Sequence, residues 1–167
     1  MPGKRVFFSF HYEQDVWRAT NVRNAGKVDA AAAAGWDDAS LWEKAKRNGD
    51  SEIRRLIDDG LKGTSVTAVL IGSETANRPW VAYEIEKSIE RGNGLLGVRI
   101  HNIKDQAGHR SQRGKVPKAL RKGNYRVYDW HRASLGRWVE HAALDADKKC
   151  RAHNREHCFF CRWLWWW

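Results

Sequence analysis

The stretch V-T-A-V-L-I-G-S-E-T-A-N-R-P-W-V-A-Y-E-I-E-K-S-I, residues 66–89, decides the fold. Its first six residues are apolar or β-branched and predict a strand buried on both faces. A polar turn follows, and Pro79 suits the first turn of a helix because a missing N–H costs nothing there. Apolar residues then recur every four positions and predict the helix face that packs on the sheet: Val81, Ile85 and Ile89.

The rest of the chain continues this alternation of strands and helices. Strands are predicted at 4–10, 95–100 and 125–129, and helices at 13–25, 39–48, 52–61 and 133–149. In the first helix we expect one stripe to face inward: Val16, Ala19, Thr20 and Arg23. Residues 28–38 could form a short strand, a helical turn or a loop, and their sequence does not decide among these. The polar, basic and glycine-containing sequence of residues 104–124 predicts a long loop.

This order of elements predicts an α/β fold with a flavodoxin-like, doubly wound parallel sheet. We expect one domain over residues 1–147 and a Cys/His/Trp-rich C-terminal tail over 148–167. The chain has 167 residues and a net charge of +10. Residues 1–100 are nearly neutral, whereas 101–167 carry 15 Lys/Arg against 6 Asp/Glu. The basic half indicates either a polyanion partner or a solvated loop and tail, and we favour the second.

In an open α/β sheet, ligands bind beyond the carboxyl ends of the strands, where the strand order reverses. Here the ends of the first strand and of 66–71 should meet, which brings Ser9 to Tyr12 close to Gly72, Ser73 and Glu74. Glu84 lies one turn into the following helix, beside Trp80. By spacing alone an acid in this position is usually a solvated surface residue.

The other candidates each have a structural alternative. Phe10 could stack on a base or belong to the core, and His11 and Tyr12 could contact phosphate or ribose or simply end the strand. Arg78 could pair with a pyrophosphate or lie exposed, and Ser73 could bind a ribose or make the turn.

The chain resembles the TIR domain, and within it the ThsB-like proteins of bacterial Thoeris antiphage defence. The resemblance rests on K-R-V-F-F-S-F-H-Y at the first strand, G-W-D-D-A-S-L-W-E at 35–43 and V-L-I-G-S-E-T-A-N-R-P-W-V-A-Y-E-I at 69–85. The segment L-L-G-V-R-I-H-N-I-K-D at 95–105 also matches, so the likeness covers about residues 4–130.

The resemblance implies an enzyme that cleaves NAD⁺ at the nicotinamide–ribose bond, with Glu84 as the catalytic acid. It implies NAD⁺ as substrate rather than cofactor, and a cyclic or conjugated ADP-ribose product that reaches a separate effector. It places Asp37, Asp38 and Trp42 in the segment that closes over the nucleotide, and Trp80 at the site. A phage-derived trigger and a homo-oligomer are left open.

Two other functions remain open at this stage. One is a non-catalytic TIR interaction module, and the other is a basic nucleic-acid-binding protein, which we do not favour. The N-terminal residues lead directly into a strand and no apolar run reaches the length of a membrane span, so we expect a cytoplasmic protein.

The tail contains C-x2-H-x3-H-C-x2-C at 150–161, followed by four tryptophans among residues 163–167. Cys and His at such spacings can hold zinc, but the linking segment is short. We therefore assign no metal and interpret the cysteines as free thiols. The tryptophans could fold back on the core, form an oligomer interface or touch a membrane surface.

Overall fold

A computed structural model describes residues 4–25 and 39–152. Its four strands are β1 (Val6–Ser9), β2 (Val66–Ile71), β3 (Gly94–Arg99) and β4 (Val127–Asp129). Its six helices are α1 (Tyr12–Ala25), α2 (Ala39–Asn48), α3 (Asp50–Leu61), α4 (Pro79–Glu90), α5 (Lys118–Lys122) and α6 (Leu135–Ala152). Short 3₁₀ turns span Thr75–Asn77 and Arg132–Ser134.

The strands form one parallel sheet in the order β1-β2-β3-β4. Val6 pairs with Val66, and Val66 pairs with Gly94. The predicted α/β class is confirmed. The predicted reversal of strand order beside β1 requires a strand on its outer side, and residues 26–38 lie outside the described chain. That reversal stays a prediction.

Helices cover both faces of the sheet. One face packs against α1 and α6 through alternating strand residues such as Phe8, Leu70 and Val98. The other face carries Phe7 against α2 and α3, and Val69 and Ile71 against α4 and α5. Because the strands are covered on both faces, every residue of β1 and β2 is buried, as the continuous apolar runs predicted.

The inward face of α1 differs from the predicted stripe. Val16 and Thr20 are exposed, whereas Asp15, Arg18 and Val22 are buried alongside Ala19. A buried Asp–Arg pair leaves no apolar signature, so the periodicity pointed to the wrong face. In α3 and α6 the apolar spacing predicts the inward face correctly, since the buried residues include Ile53, Ile57 and Leu61 of α3 and Leu135, Trp138, Val139 and Ala142 of α6.

The face of α4 also differs from the prediction in part. Val81 and Ile85 are buried as expected, but Ile89 is 42% exposed and Ser88 takes the buried position. Ser88 Oγ lies 2.7 Å from Thr67 Oγ1 of β2. This hydrogen bond turns the polar side chain toward the sheet and leaves Ile89 facing solvent.

The segment predicted as a long loop at 104–124 contains α5, which has only five residues and no periodicity to reveal it. The predicted boundary between residues 147 and 148 falls inside α6, and residues 153–167 lie outside the described chain, so the division is untested. Cys150 is disulfide-bonded, which contradicts the free thiol expected at that position. The other ligands considered for zinc lie outside the described residues. No helix within the described residues is long and apolar enough to cross a membrane.

We predict that Gly94→Ala destabilises the fold, because a Cβ on Gly94 would lie 2.4 Å from the carbonyl oxygen of Ala142 in α6. Overpacking of this kind costs about 1–3 kcal/mol. The thermal midpoint should fall by ~2–4 °C for each kcal/mol in a chain of this size.

Gly136→Ala in α6 is the control, because a Cβ there meets nothing within 4 Å. Alanine favours the helix by up to ~1 kcal/mol, so this variant should melt at or above the wild-type temperature. Equal melting of the two variants would contradict the close packing of α6 on β3.

Candidate active site

Glu84 lies against the carboxyl end of β1. Residues of β1 alternate between the two sheet faces, which places Phe7 and Ser9 on the face that α3 and α4 cover. Ser9 Oγ donates a short hydrogen bond to Glu84 Oε2 across 75 residues of sequence. Ser9 and Glu84 are 0% and 1% exposed. The acid that spacing alone would place at the surface is therefore fully buried.

Burial dominates the titration of Glu84. It raises the pKa of Glu84 to about 8, and the hydrogen bond from Ser9 partly offsets this by favouring the charged form. The other carboxyl oxygen, Oε1, is buried and has no hydrogen-bond partner among the described residues. A buried acid with a raised pKa and one oxygen that has no partner among the described residues is typical of a functional site.

A run of buried polar side chains connects α4 to the sheet below Glu84. Ser88 Oγ donates to the backbone carbonyl of Glu84 at 2.6 Å and contacts Thr67, and Asn93 Nδ2 donates to Thr64 Oγ1 at 2.9 Å. These bonds hold the helix backbone that carries Glu84 in a defined position on β2.

The predicted aromatic residues form a cluster near the carboxyl end of β1, where Glu84 lies. The ring of Tyr12 lies 6.2 Å from that of Phe10 and 5.8 Å from that of Trp42, centroid to centroid. Trp80 packs against the same apolar cluster as Trp42, and its ring meets Tyr83 edge-on at 6.1 Å. Phe10 and Trp42 are buried, while Tyr12 and Trp80 are half-buried.

The predicted polar ligands lie around the start of α1 and α4. His11 is buried, with Nε2 3.8 Å from Glu13 Oε2, and Ser73 Oγ donates to Gln14 Oε1 at 3.4 Å. Arg78 is paired with Glu74, so its guanidinium already has an acidic partner. Asp37 and Asp38 lie outside the described residues, and their assignment is untested.

The structure also reveals a buried ion pair that the sequence reasoning missed. Asp15 is 1% exposed, and its Oδ1 accepts from Arg18 Nη1 at 3.3 Å. Burial raises the pKa of Asp15, and the charge of Arg18 opposes this. A Cβ on Gly72, at the end of β2, would lie 2.1 Å from Asp15 Oδ2. Glycine at position 72 therefore lets this carboxyl group reach the edge of the site.

Arg18 connects the same helix to the loop after β3. Its Nε donates to the carbonyl of Ile103 at 2.9 Å, and its Nη2 donates to Asp105 Oδ2 and the carbonyl of His109, each at 3.2 Å. At Gly114 a Cβ would clash with the carbonyl of Gly72, so the far end of this loop packs directly on the end of β2. One buried arginine thus holds residues 103–109 at the site edge.

Within residues 4–25 and 39–152, no cluster of three or more His, Cys, Asp or Glu side chains is arranged to hold a metal ion. The described side chains at this edge include two buried carboxyl groups, Glu84 and Asp15, together with hydroxyl, imidazole and aromatic groups.

We predict that Arg18→Ala loosens the loop at 103–109. Removing one partner of a buried pair costs about 3–5 kcal/mol, because Asp15 would be left unpaired. Amide hydrogen exchange at residues 103–111 should accelerate. Arg55→Ala is the control, since that pair with Glu52 is exposed and contributes little. Unchanged exchange in Arg18→Ala would contradict the proposed anchoring.

We predict that Glu84→Gln stabilises the fold increasingly as the pH rises. An unfolded glutamate loses its proton near pH 4.5, whereas the folded one keeps it up to about pH 8. The folded wild type therefore loses stability between these values, and glutamine does not titrate. The difference in melting temperature between Glu84→Gln and wild type should grow from pH 5 to pH 8.

Glu86→Gln on the exposed side of α4 is the control and should show no such trend. A flat difference for Glu84→Gln would mean that the carboxyl group is not buried in solution.

Comparison with known proteins agrees with this geometry. The family model of the Thoeris protein ThsB, TIR-like domain, matches residues 7–105, which include Ser9, Glu84 and the aromatic cluster. A protein of Bacillus cereus (strain MSX-D12), whose name gives it as a proposed cyclic ADP-D-ribose synthase, ThsB1, is 45% identical over 152 residues. The match covers 85% of this chain and 77% of that protein. This chain belongs to the ThsB TIR-like family of Thoeris defence.

Proposed function

We propose that this protein cleaves NAD⁺ at the nicotinamide–ribose bond and makes a cyclic ADP-ribose signal in Thoeris antiphage defence. The observation that carries the proposal is the buried Glu84 carboxyl group, with one oxygen bound by Ser9 and the other uncommitted. The name of the similar B. cereus protein supports the reaction and its cyclic product.

The reaction requires little beyond a well-placed carboxylate. Nicotinamide leaves as a neutral molecule with the electron pair of the broken C–N bond, so no acid has to protonate it. The ribose carbon becomes oxocarbenium-like, and a carboxylate nearby stabilises the developing positive charge and orients the ribose hydroxyls. Attack by a nucleophilic atom of the same molecule then closes the cyclic product and releases one proton.

Burial supports cyclisation over hydrolysis. Water competes with the internal nucleophile for the ribose carbon, and a site that excludes water favours the intramolecular acceptor. Glu84 is 1% exposed, so the ribose reaches Oε1 only when a neighbouring group moves aside. The positive charge of the bound nicotinamide ring would lower the pKa of Glu84 and favour its carboxylate form during the reaction.

The surrounding residues suit the rest of the nucleotide. We assign the rings of Phe10, Tyr12, Trp42 and Trp80 to stacking on nicotinamide or adenine. His11 and Ser73 are assigned to ribose or phosphate groups. Arg78 already donates to Glu74 through Nη2, so a pyrophosphate would compete with Glu74 for the positive charge of this guanidinium. We also assign Asp37 to nucleotide binding, as part of the segment that the family resemblance implies closes over the nucleotide.

The proposed signal also implies where the protein acts and with what. We propose that it acts in the cytoplasm, where NAD⁺ is available, and that a diffusible nucleotide product activates a separate effector without direct contact. A phage-derived trigger and a homo-oligomer are compatible with this scheme.

We predict that Glu84→Gln lowers nicotinamide release from NAD⁺ by about 10²-fold or more, because the neutral amide cannot stabilise the positive charge. Nicotinamide and the ADP-ribose products would be measured by mass spectrometry, with and without lysate of phage-infected cells. Glu86→Gln is the control and should keep wild-type turnover, because its side chain points to solvent from the same helix.

Three outcomes would count against the proposal. Absence of nicotinamide release by the wild type under every condition would favour a non-catalytic interaction module. Turnover by Glu84→Gln at the wild-type rate would remove Glu84 from the chemistry. A salt-sensitive complex with DNA or RNA, without NAD⁺ cleavage, would favour the nucleic-acid binder.

A further inference from the structure

Among the described residues, the Glu84 carboxyl group makes one hydrogen bond, and it joins α4 to β1. Ser9 Oγ donates to Oε2, Ser9 is 0% exposed, and Oε1 has no partner among the described residues. We propose that Ser9 is a positioning residue for the reaction, which holds one oxygen of Glu84 so that the other faces the ribose. This inference rests on the proposed function of Glu84.

The carboxyl group needs such a contact because its own torsion is soft. The last torsion of a glutamate side chain has broad minima, so the two oxygens can exchange places unless one is bound. A fixed carboxylate is already oriented when the ribose arrives, and preorganised groups of this kind stabilise the transition state without further rearrangement. Ser9 supplies the only hydroxyl that restrains this torsion among the described residues.

A second contact fixes a different part of the same residue. Ser88 Oγ donates to the backbone carbonyl of Glu84 at 2.6 Å, and Thr67 Oγ1 lies 2.7 Å from Ser88 Oγ. Ser88 therefore restrains the helix backbone, whereas Ser9 restrains the carboxyl group. Both serines are 0% exposed and both donate to Glu84. The chain thus contains a matched pair for separating the two roles.

Charged groups do not obscure the effect of Ser9. Among the described residues, burial and the Ser9 hydrogen bond are the two causes that set the pKa of Glu84, and no charged side chain contributes.

The charged side chains of the elements packed on α4 interact elsewhere or face solvent. Asp58 and Arg54 of α3 face α4 but contact Tyr83, as does Lys87 of α4 itself. On α5, which also packs on α4, Lys118, Arg121 and Lys122 are exposed. The side chains of β1, β2 and β3 that face α4 are all uncharged: Phe7, Ser9, Thr67, Val69, Ile71 and Leu95.

The experiment compares Ser9→Ala with Ser88→Ala in the full chain. The pH dependence of kcat/KM for nicotinamide release reports ionisations of the free enzyme. Removal of a hydrogen bond to a charged group should raise the pKa of Glu84 by about one unit or more. In Ser9→Ala the acid limb of kcat/KM should therefore move to higher pH by about one unit, and the plateau kcat should also fall.

Ser88→Ala should keep the wild-type acid limb, because Ser88 does not contact the carboxyl group. Its melting temperature should fall, which shows that a loss of stability by itself does not move the profile. The proposal is overturned if the Ser9→Ala profile coincides with that of wild type, or if both variants shift equally.

A second measurement keeps this test independent of turnover. Carbon-13 NMR titration of labelled glutamate carboxyl groups, with the Glu84 signal assigned by its loss in Glu84→Gln, gives the pKa directly. We expect a higher pKa in Ser9→Ala than in wild type or Ser88→Ala. If that shift appears while wild type releases no nicotinamide, the proposed function fails and the hydrogen bond stands. If wild type turns over and Ser9→Ala shows neither shift, the positioning role fails alone.

Discussion

The burial of one carboxyl group is the constraint on which the rest of the site depends. Glu84 faces β1 from α4, in an interface that combines apolar side chains with the buried hydroxyl groups of Ser9, Thr67 and Ser88. An acid in this position costs stability when it ionises, and the hydrogen bond from Ser9 does not cancel the effect of burial on its pKa. Proteins keep such costly groups where activity requires them, because stability and activity compete at active sites.

Two sets of polar contacts, one on each face of the sheet, stabilise the edge of the sheet near this acid. On the α3–α4 side, Ser9, Thr67 and Ser88 connect the helix to the strands. On the α1 side, the buried Asp15–Arg18 pair connects the start of α1 to the loop after β3. Both act at the carboxyl ends of parallel strands, which is where α/β folds place their ligands. The edge is therefore held by polar contacts, although the layers beneath it are apolar.

The strand–turn–helix unit at 66–89 could be predicted from the sequence because its periodicity and its proline have direct physical meanings. The two wrong helix faces, on α1 and α4, share one cause, which is that buried polar groups carry no apolar signature. In α1, Asp15 and Arg18 are buried in place of part of the predicted stripe, and in α4 Ser88 occupies the buried position expected for Ile89. Spacing placed Glu84 beside the buried stripe but could not predict its full burial, since a lone acid is usually exposed. Only the family resemblance singled it out.

In the proposed reaction, Oε1 of Glu84 faces the ribose that loses nicotinamide. A crystal structure of the protein with carba-NAD⁺ would test this, because a methylene group replaces the ring oxygen of the nicotinamide ribose in this analogue and prevents cleavage. We expect a hydroxyl of that ribose within hydrogen-bond distance of Glu84 Oε1, at about 2.6–3.0 Å, while Ser9 still holds Oε2. An analogue bound with its nicotinamide ribose away from Glu84 would contradict a role of this carboxyl group in the reaction.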